Sequence, residues 1–204
     1  MSRAGRLLMA EVILAIHSGD LPLHLAVQMT PEAMASGWAA LDLDTQRDLL
    51  ESLKHLGLVQ IALAAAARTA ASLDSPDFAI AIADASLLLE HNEPIFGRRL
   101  VQAIAEAQAE ERMWHGWEGR LRARRLVVIS RTLQAVQAYT DDVLSRVVFS
   151  RVAPYANQAI RHALEDRSND ELDLPAMIRA LGPPTLEQVL VAVQAKAELL
   201  AVVP

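Results

Sequence analysis

Met113-Trp114-His115-Gly116-Trp117-Glu118-Gly119-Arg120-Leu121-Arg122-Ala123-Arg124-Arg125 sets two of the chain's three tryptophans beside its densest positive charge. The segment sits in the middle of Arg98–Arg151, inside the longest proline-free span. Proline removes a helical amide and clashes with the preceding turn; without it this span reads as helix almost throughout. Gly116 and Gly119 are the interruption. Either the span is one rod, or Gly116–Gly119 is a hinge that folds two helices into a hairpin.

Charge separates the two halves. Glu106, Glu110, Glu111 and Glu118 make the first half acidic, whereas Arg120 to Thr140 holds five arginines and no carboxylate. At about 100° per residue, Arg120, Arg124 and Arg131 fall within about 40° of one another and form a stripe that includes Gln134. Leu121, Val128, Ile129, Leu133, Val136, Tyr139, Val143 and Val147 lie opposite and make a core face. Arg122 and Arg125 fall inside that apolar arc. A buried guanidinium needs a partner, so these two should pair with acids from another helix, or the helix end is exposed there. A hairpin would bring the acidic half against them.

Upstream, helix punctuation recurs. Leu7, Leu8, Val12, Ile13 and Ile16 open a first helix that Gly19 stops, and Asp20 caps a short helix through Val27. Thr30-Pro31 repeats that grammar, with a cap followed by proline at the first helical position. The helix it starts runs through Trp38 to about Leu41. Asp44 caps the next, where Leu49, Leu50, Leu53 and Leu56 form a stripe and Gly57 ends it. Leu58–Leu73 is an alanine-rich helix, and Ser75-Pro76-Asp77 starts another that Asn92-Glu93-Pro94 breaks. Downstream, a break is expected near Val152-Ala153-Pro154, with a helix from Tyr155 to about Glu165. Asp166-Arg167-Ser168-Asn169-Asp170-Glu171 is the linker candidate. Asp173 and Pro175 start a short helix that Gly182 stops. Thr185 with Gln188 matches a capping box before the last helix. Period-two alternation is nowhere sustained.

Gly19-Asp20-Leu21-Pro22-Leu23-His24-Leu25-Ala26 resembles the opening of an ankyrin repeat, and Leu87-Leu88-Leu89-Glu90-His91-Asn92 the end of one. Leu21 stands where that family has threonine, and no period of about 33 residues connects the two stretches. Pro31–Asp42 with Thr45-Gln46-Arg47-Asp48-Leu49-Leu50 is similar to the short helical repeats at the N-terminus of some magnesium channels. Both resemblances imply a protein-binding scaffold and neither implies a catalytic residue.

Composition agrees with helices. Hydrophobic residues make up 52% but aromatics only 4%, so alanine, leucine and valine must build the core. Eight glycines and nine prolines are too few for the turns of an all-β chain. Cysteine is absent, which removes disulfides, thiolate metal sites and cysteine nucleophiles and suits a cytoplasmic location. A net charge of -6 argues against whole-molecule affinity for nucleic acid or anionic lipid. Arg3 and Arg6 before Leu7–Ile16 outline a signal peptide, but Glu11 interrupts the run and no small-x-small site follows. No window reaches the roughly 18 uncharged apolar residues of a membrane span. Leu58–Leu73 carries Arg68, and Leu186–Val203 carries Glu187, Lys196 and Glu198.

Catalytic motifs are missing. Among His17, His24, His55, His91, His115 and His162, no Glu-x-x-His or His-Glu-x-x-His occurs, although Glu111/His115 and His162/Glu165 share helix faces. No glycine-rich phosphate loop and no Gly-x-Ser-x-Gly elbow is present. Asp141 and Asp142 are adjacent and point about 100° apart on a helix, which suits a solvated face.

The expectation is an all-α fold of about nine helices. A helical bundle and a short helical-repeat array both fit, with a long central helix or helical hairpin. Residues 1–204 form a single domain, any subdivision separating short hairpins over 1–92 from a long-helix bundle over 93–204. No cofactor, metal site or catalytic residue is expected. The function expected is non-enzymatic: a scaffold, adaptor or assembly factor with a protein partner or as a homo-oligomer. Arg120, Arg124, Arg131, Trp114 and Trp117 are the candidate partner- or phosphate-binding residues. Two alternatives stand beside it: a nucleic-acid-binding regulator using the basic stripe, and an enzyme whose site gathers residues from distant helices.

Overall fold

A computed structural model describes residues 2–18, 29–91, 94–114, 117–141, 146–182, 185–191 and 193–194. The expected cap at Asp20, the ankyrin-like stretch from Gly19 and Asp142 lie outside them. Among the described residues every regular element is helical, so the fold is all-α. In chain order these are α1 (Arg3–Ser18), α2 (Pro31–Trp38), α3 (Leu43–Ser72), α4 (Pro76–His91), α5 (Pro94–Met113), α6 (Trp117–Asp141) and α7 (Arg146–Leu164). A 3-10 turn (Arg167–Asn169) and α8 (Leu174–Ala180) follow, and then a helical segment at 186–191.

The caps explain where several helices begin. Thr30 accepts the Ala33 amide at 3.2 Å with Pro31 next to it. Asp173 accepts the Ala176 amide at 2.9 Å. Thr185 and Gln188 form the reciprocal box, the Gln188 side chain accepting from the Thr185 amide at 2.8 Å and the Thr185 hydroxyl from the Gln188 amide at 3.3 Å. Each satisfies amides that the helix itself leaves unpaired. One cap differs from expectation. Asp42, not Asp44, closes the start of α3, accepting the Asp44 and Thr45 amides and the Thr45 hydroxyl.

Two expected breaks are absent. The helix expected to end at Gly57 continues through it to Ser72. A Cβ at Gly57 would run into the Leu181 side chain, so this glycine makes room for a neighbour and does not stop a helix. Pro154 lies inside α7. Its own side chain is exposed, while Val152, Ala156 and Ala159 on either side are fully buried. Packing on both sides of the proline holds the helix across the one missing amide.

The described residues separate into two compact units, 1–54 with 183–204, and 55–182; the division falls within α3. In the first unit, α1 and α2 pack together through Ile13, Ile16, Met34 and Trp38. Gly37 makes that crossing close, because a Cβ there would sit 2.7 Å from the Met9 backbone. Leu7 and Leu8 of α1 stay about half exposed, at 49% and 46%.

In the second unit, α5 packs on α4 and α6, and α6 also packs on α4 and α7. The core is largely alanine, with leucine, isoleucine and valine filling most of the rest. Val59, Ala62, Ala65 and Ala66 of α3 and Val128, Ile129, Leu133 and Val136 of α6 are all fully buried. Small side chains bring backbones close, close enough for the Thr132 hydroxyl of α6 to donate to the Ala62 carbonyl of α3 at 3.3 Å. By length and composition α3 would also cross a membrane. Half of its apolar window is buried inside the protein.

Candidate interaction surface

Met113 closes α5, Trp117 opens α6, Asp141 closes α6 and Arg146 opens α7, so Arg98–Arg151 is not one rod: α5 and α6 form a hairpin and the start of α7 follows. Gly119 lets the connection fold tightly, since a Cβ there would lie 3.3 Å from Trp114. Trp114 follows α5 directly, held by its amide on the Glu111 carbonyl at 3.4 Å. Met113 is 73% exposed, Trp114 42% and Leu121 45%. The Arg122 guanidinium lies over the Trp114 ring, 5.1 Å from its centroid. Glu110 fixes that guanidinium, accepting Nε at 2.8 Å and also Nη2. The end of the hairpin thus exposes Met113, Trp114 and Leu121, and the cation over the Trp114 ring is itself fixed by an ion pair between the two arms. The side chain of Trp117, the other candidate tryptophan, lies outside the described residues.

Both arginines of the apolar arc are paired with acids from other elements. Arg122 reaches Glu110 of α5. Arg125 donates Nε to Asp166 Oδ2 at 3.0 Å and Nη2 to Oδ1 at 3.2 Å, and Nη1 to the Ser72 carbonyl at 3.2 Å. Asp166 belongs to the segment expected to be a linker, and the structure overturns that expectation. Asp166 and Asn169 are 2% and 3% exposed. Asp166 also accepts the Ser168 amide and hydroxyl. Asn169 donates to Thr69 Oγ1 at 3.2 Å, whose hydroxyl donates to the Ala65 carbonyl at 2.8 Å, and Glu171 pairs with Arg68. Polar residues mark an exposed linker only when they face water; Asp166 faces α6 and Asn169 faces α3. Burial pushes the Asp166 carboxyl up, but Arg125 and the two Ser168 donors outweigh it and hold it below the usual range.

The stripe arginines do not act as one group. Arg120 is exposed on α6. Arg124 pairs with Glu165, just past the end of α7, Nε to Oε2 at 3.4 Å. Arg131 donates to Gln134 Oε1 at 2.6 Å and lies 5.9 Å from the centre of the Tyr155 ring. Near Arg124, burial and then Arg161 lower the His162 pKa, Glu165 opposing them.

A second surface went unnoticed in the sequence. Asp77, Ile80, Asp84, Arg99, Gln102 and Glu106 line a groove of about 300 Å³ between α4 and α5. Asp84 is nearly buried and accepts from Arg99 at 3.3 Å, and Glu106 accepts from Gln102 at 2.8 Å. Asp84 and Glu106 are thus paired within α4 and α5. Among the described residues no three histidine, aspartate or glutamate side chains converge as metal ligands.

No family model matches the chain, no curated protein matches it at a significant level, and no solved structure does.

Proposed function

We propose that this chain is a non-enzymatic helical protein–protein interaction protein, a scaffold, adaptor or assembly factor, that binds a protein partner or a second copy of itself through the tip of the α5–α6 hairpin. The observation that carries the reading is the platform of Met113, Trp114 and Leu121 with Arg122 stacked on the indole. Tryptophan, arginine and methionine are enriched at the centres of protein interfaces. A tryptophan already fixed in place loses little side-chain freedom on binding. Met113 and Trp114 are consecutive and both exposed, and clustered exposed apolar residues are what distinguish a patch from scattered ones.

Trp114→Ala tests the reading. Removal of a central interface tryptophan costs about 2 kcal/mol or more, which weakens association roughly 30-fold. The mutant is expected to lose its partner or its oligomeric state while keeping its helix content by circular dichroism. A wild-type chain that is strictly monomeric and captures no partner contradicts the proposal.

The nucleic-acid reading has less support. Arg122, Arg124 and Arg125 are each paired with a carboxylate of the same chain, and the whole chain carries -6. Phosphate affinity grows with the number of uncompensated cations.

A further inference from the structure

We infer that Arg131, with Gln134 and Tyr155, is a receptor for a carboxylate from an acidic protein segment, a second contact separate from the Trp114 platform. The inference rests on the reading of the chain as a protein-binding module and names the chemistry of one partner group.

Three other arginines of the same helix each have a carboxylate: Glu110 for Arg122, Glu165 for Arg124 and Asp166 for Arg125. Arg131 has none among the described residues. It is nevertheless half-buried, so its charge is partly desolvated without a counter-charge, the arrangement that costs most. The guanidinium is also held in place. Nη1 donates to Gln134 at 2.6 Å, and the face of the group lies against Tyr155. Nε is buried without an acceptor. Nη2 makes no hydrogen bond among the described residues and is not among the buried unpaired atoms. One donor nitrogen of a fixed, uncompensated cation therefore reaches the surface.

A carboxylate on Nη2 would supply the missing charge, and its hydrogen bond would be charge-assisted. Gln134 and Tyr155 have already immobilised the guanidinium, so little further ordering is needed. A phosphate has the same acceptor chemistry. A polyphosphate backbone, however, brings many charges to a chain of net -6, whereas a single glutamate or aspartate within a protein interface brings one. That difference favours the acidic protein segment over nucleic acid.

The test uses the full chain and a fluorescein-labelled peptide carrying a single glutamate, with anisotropy read at low salt. A glutamine version of the peptide and a single-stranded DNA of equal charge are the comparison probes. The expected result is binding of the glutamate peptide that weakens at least tenfold in Arg131→Gln. Arg131→Lys keeps the charge without the fork and weakens binding less, while Trp114→Ala leaves it unchanged. If Arg131→Gln fails to fold, judged by circular dichroism, the several-fold loss in Arg131→Lys becomes the deciding comparison. Absence of peptide binding, equal binding by Arg131→Gln and wild type, equal binding of the glutamine peptide, or tighter Arg131-dependent binding of the DNA each overturns the inference. None of these outcomes bears on assembly through Trp114, which is read separately from mass in solution.

Discussion

Arg125 and Asp166 show how one pair can anchor a loop to a core. The Asp166 side chain has no exposure and that of Arg125 is 19% exposed. Removing one member leaves the other charge buried and unpaired, which costs about 3 kcal/mol. Asp166→Ala is therefore expected to lose about that much stability, measured by urea denaturation. The pH dependence has a definite sign. The folded pKa of Asp166 lies below its unfolded value, so its stabilisation is complete above the unfolded pKa of about 3.9 and is lost as pH falls through the folded value. Asp166→Asn should flatten that acid limb, and an unchanged limb would show that the pair contributes nothing there. His162 works in the same direction at higher pH. Its folded pKa is lowered, first by burial, so the unfolded chain takes up protons first as pH falls through about 6.5. His162→Gln is expected to reduce the slope of stability against pH between about 5 and 7. The effect is small, because the ring remains partly in water.

Helix crossings and glycines belong to the scale of elements. At Gly37 a Cβ would meet the Met9 backbone at 2.7 Å, and at Gly97 it would meet nothing within 4 Å. Alanine is better than glycine in a helix by about 1 kcal/mol. Gly97→Ala should therefore stabilise the chain by up to that amount. Gly37→Ala should destabilise it by about 1–3 kcal/mol, because the backbone of α1 cannot step aside as a side chain can. Thermal denaturation of the two variants gives opposite signs on this account. Which helix features can be read in advance follows the same logic. The caps at Thr30, Asp173 and Thr185–Gln188 were legible because each is a contact within three residues. The continuation of α3 through Gly57 was not, since its cause is Leu181, far along the chain. Nor was the burial of Asp166 and Asn169 in the turn at 166–171, whose composition matches an exposed linker and whose partners, Arg125 and Thr69, are distant in sequence. The pairing of Arg122 and Arg125 was foreseeable as a need, because charges in an apolar arc require acids, but their partners were not nameable.

At the scale of the whole molecule, the two units each carry a core built mainly from aliphatic side chains, and the helical class followed from proline placement, caps and periodicity alone. The surface proposal depends on what those helices leave exposed. The sequence nominated Trp114 beside the arginine run; only the hairpin geometry sets Arg122 across the indole and binds it to Glu110. That ion pair joins α5 to α6, so Glu110→Ala is expected to free Arg122 and loosen Trp114. Association should weaken less than in Trp114→Ala, since the indole itself remains. Equal losses in the two variants would mean that the ion pair, and not the ring, makes the contact.

The most direct measurement is the native mass of the chain, recovered from its host and freed of its tag, compared with that of Trp114→Ala. The account predicts a species heavier than the 22.2 kDa chain that reverts to that mass in the mutant. A wild-type chain recovered at 22.2 kDa, or a heavier species unaffected by Trp114→Ala, would contradict it.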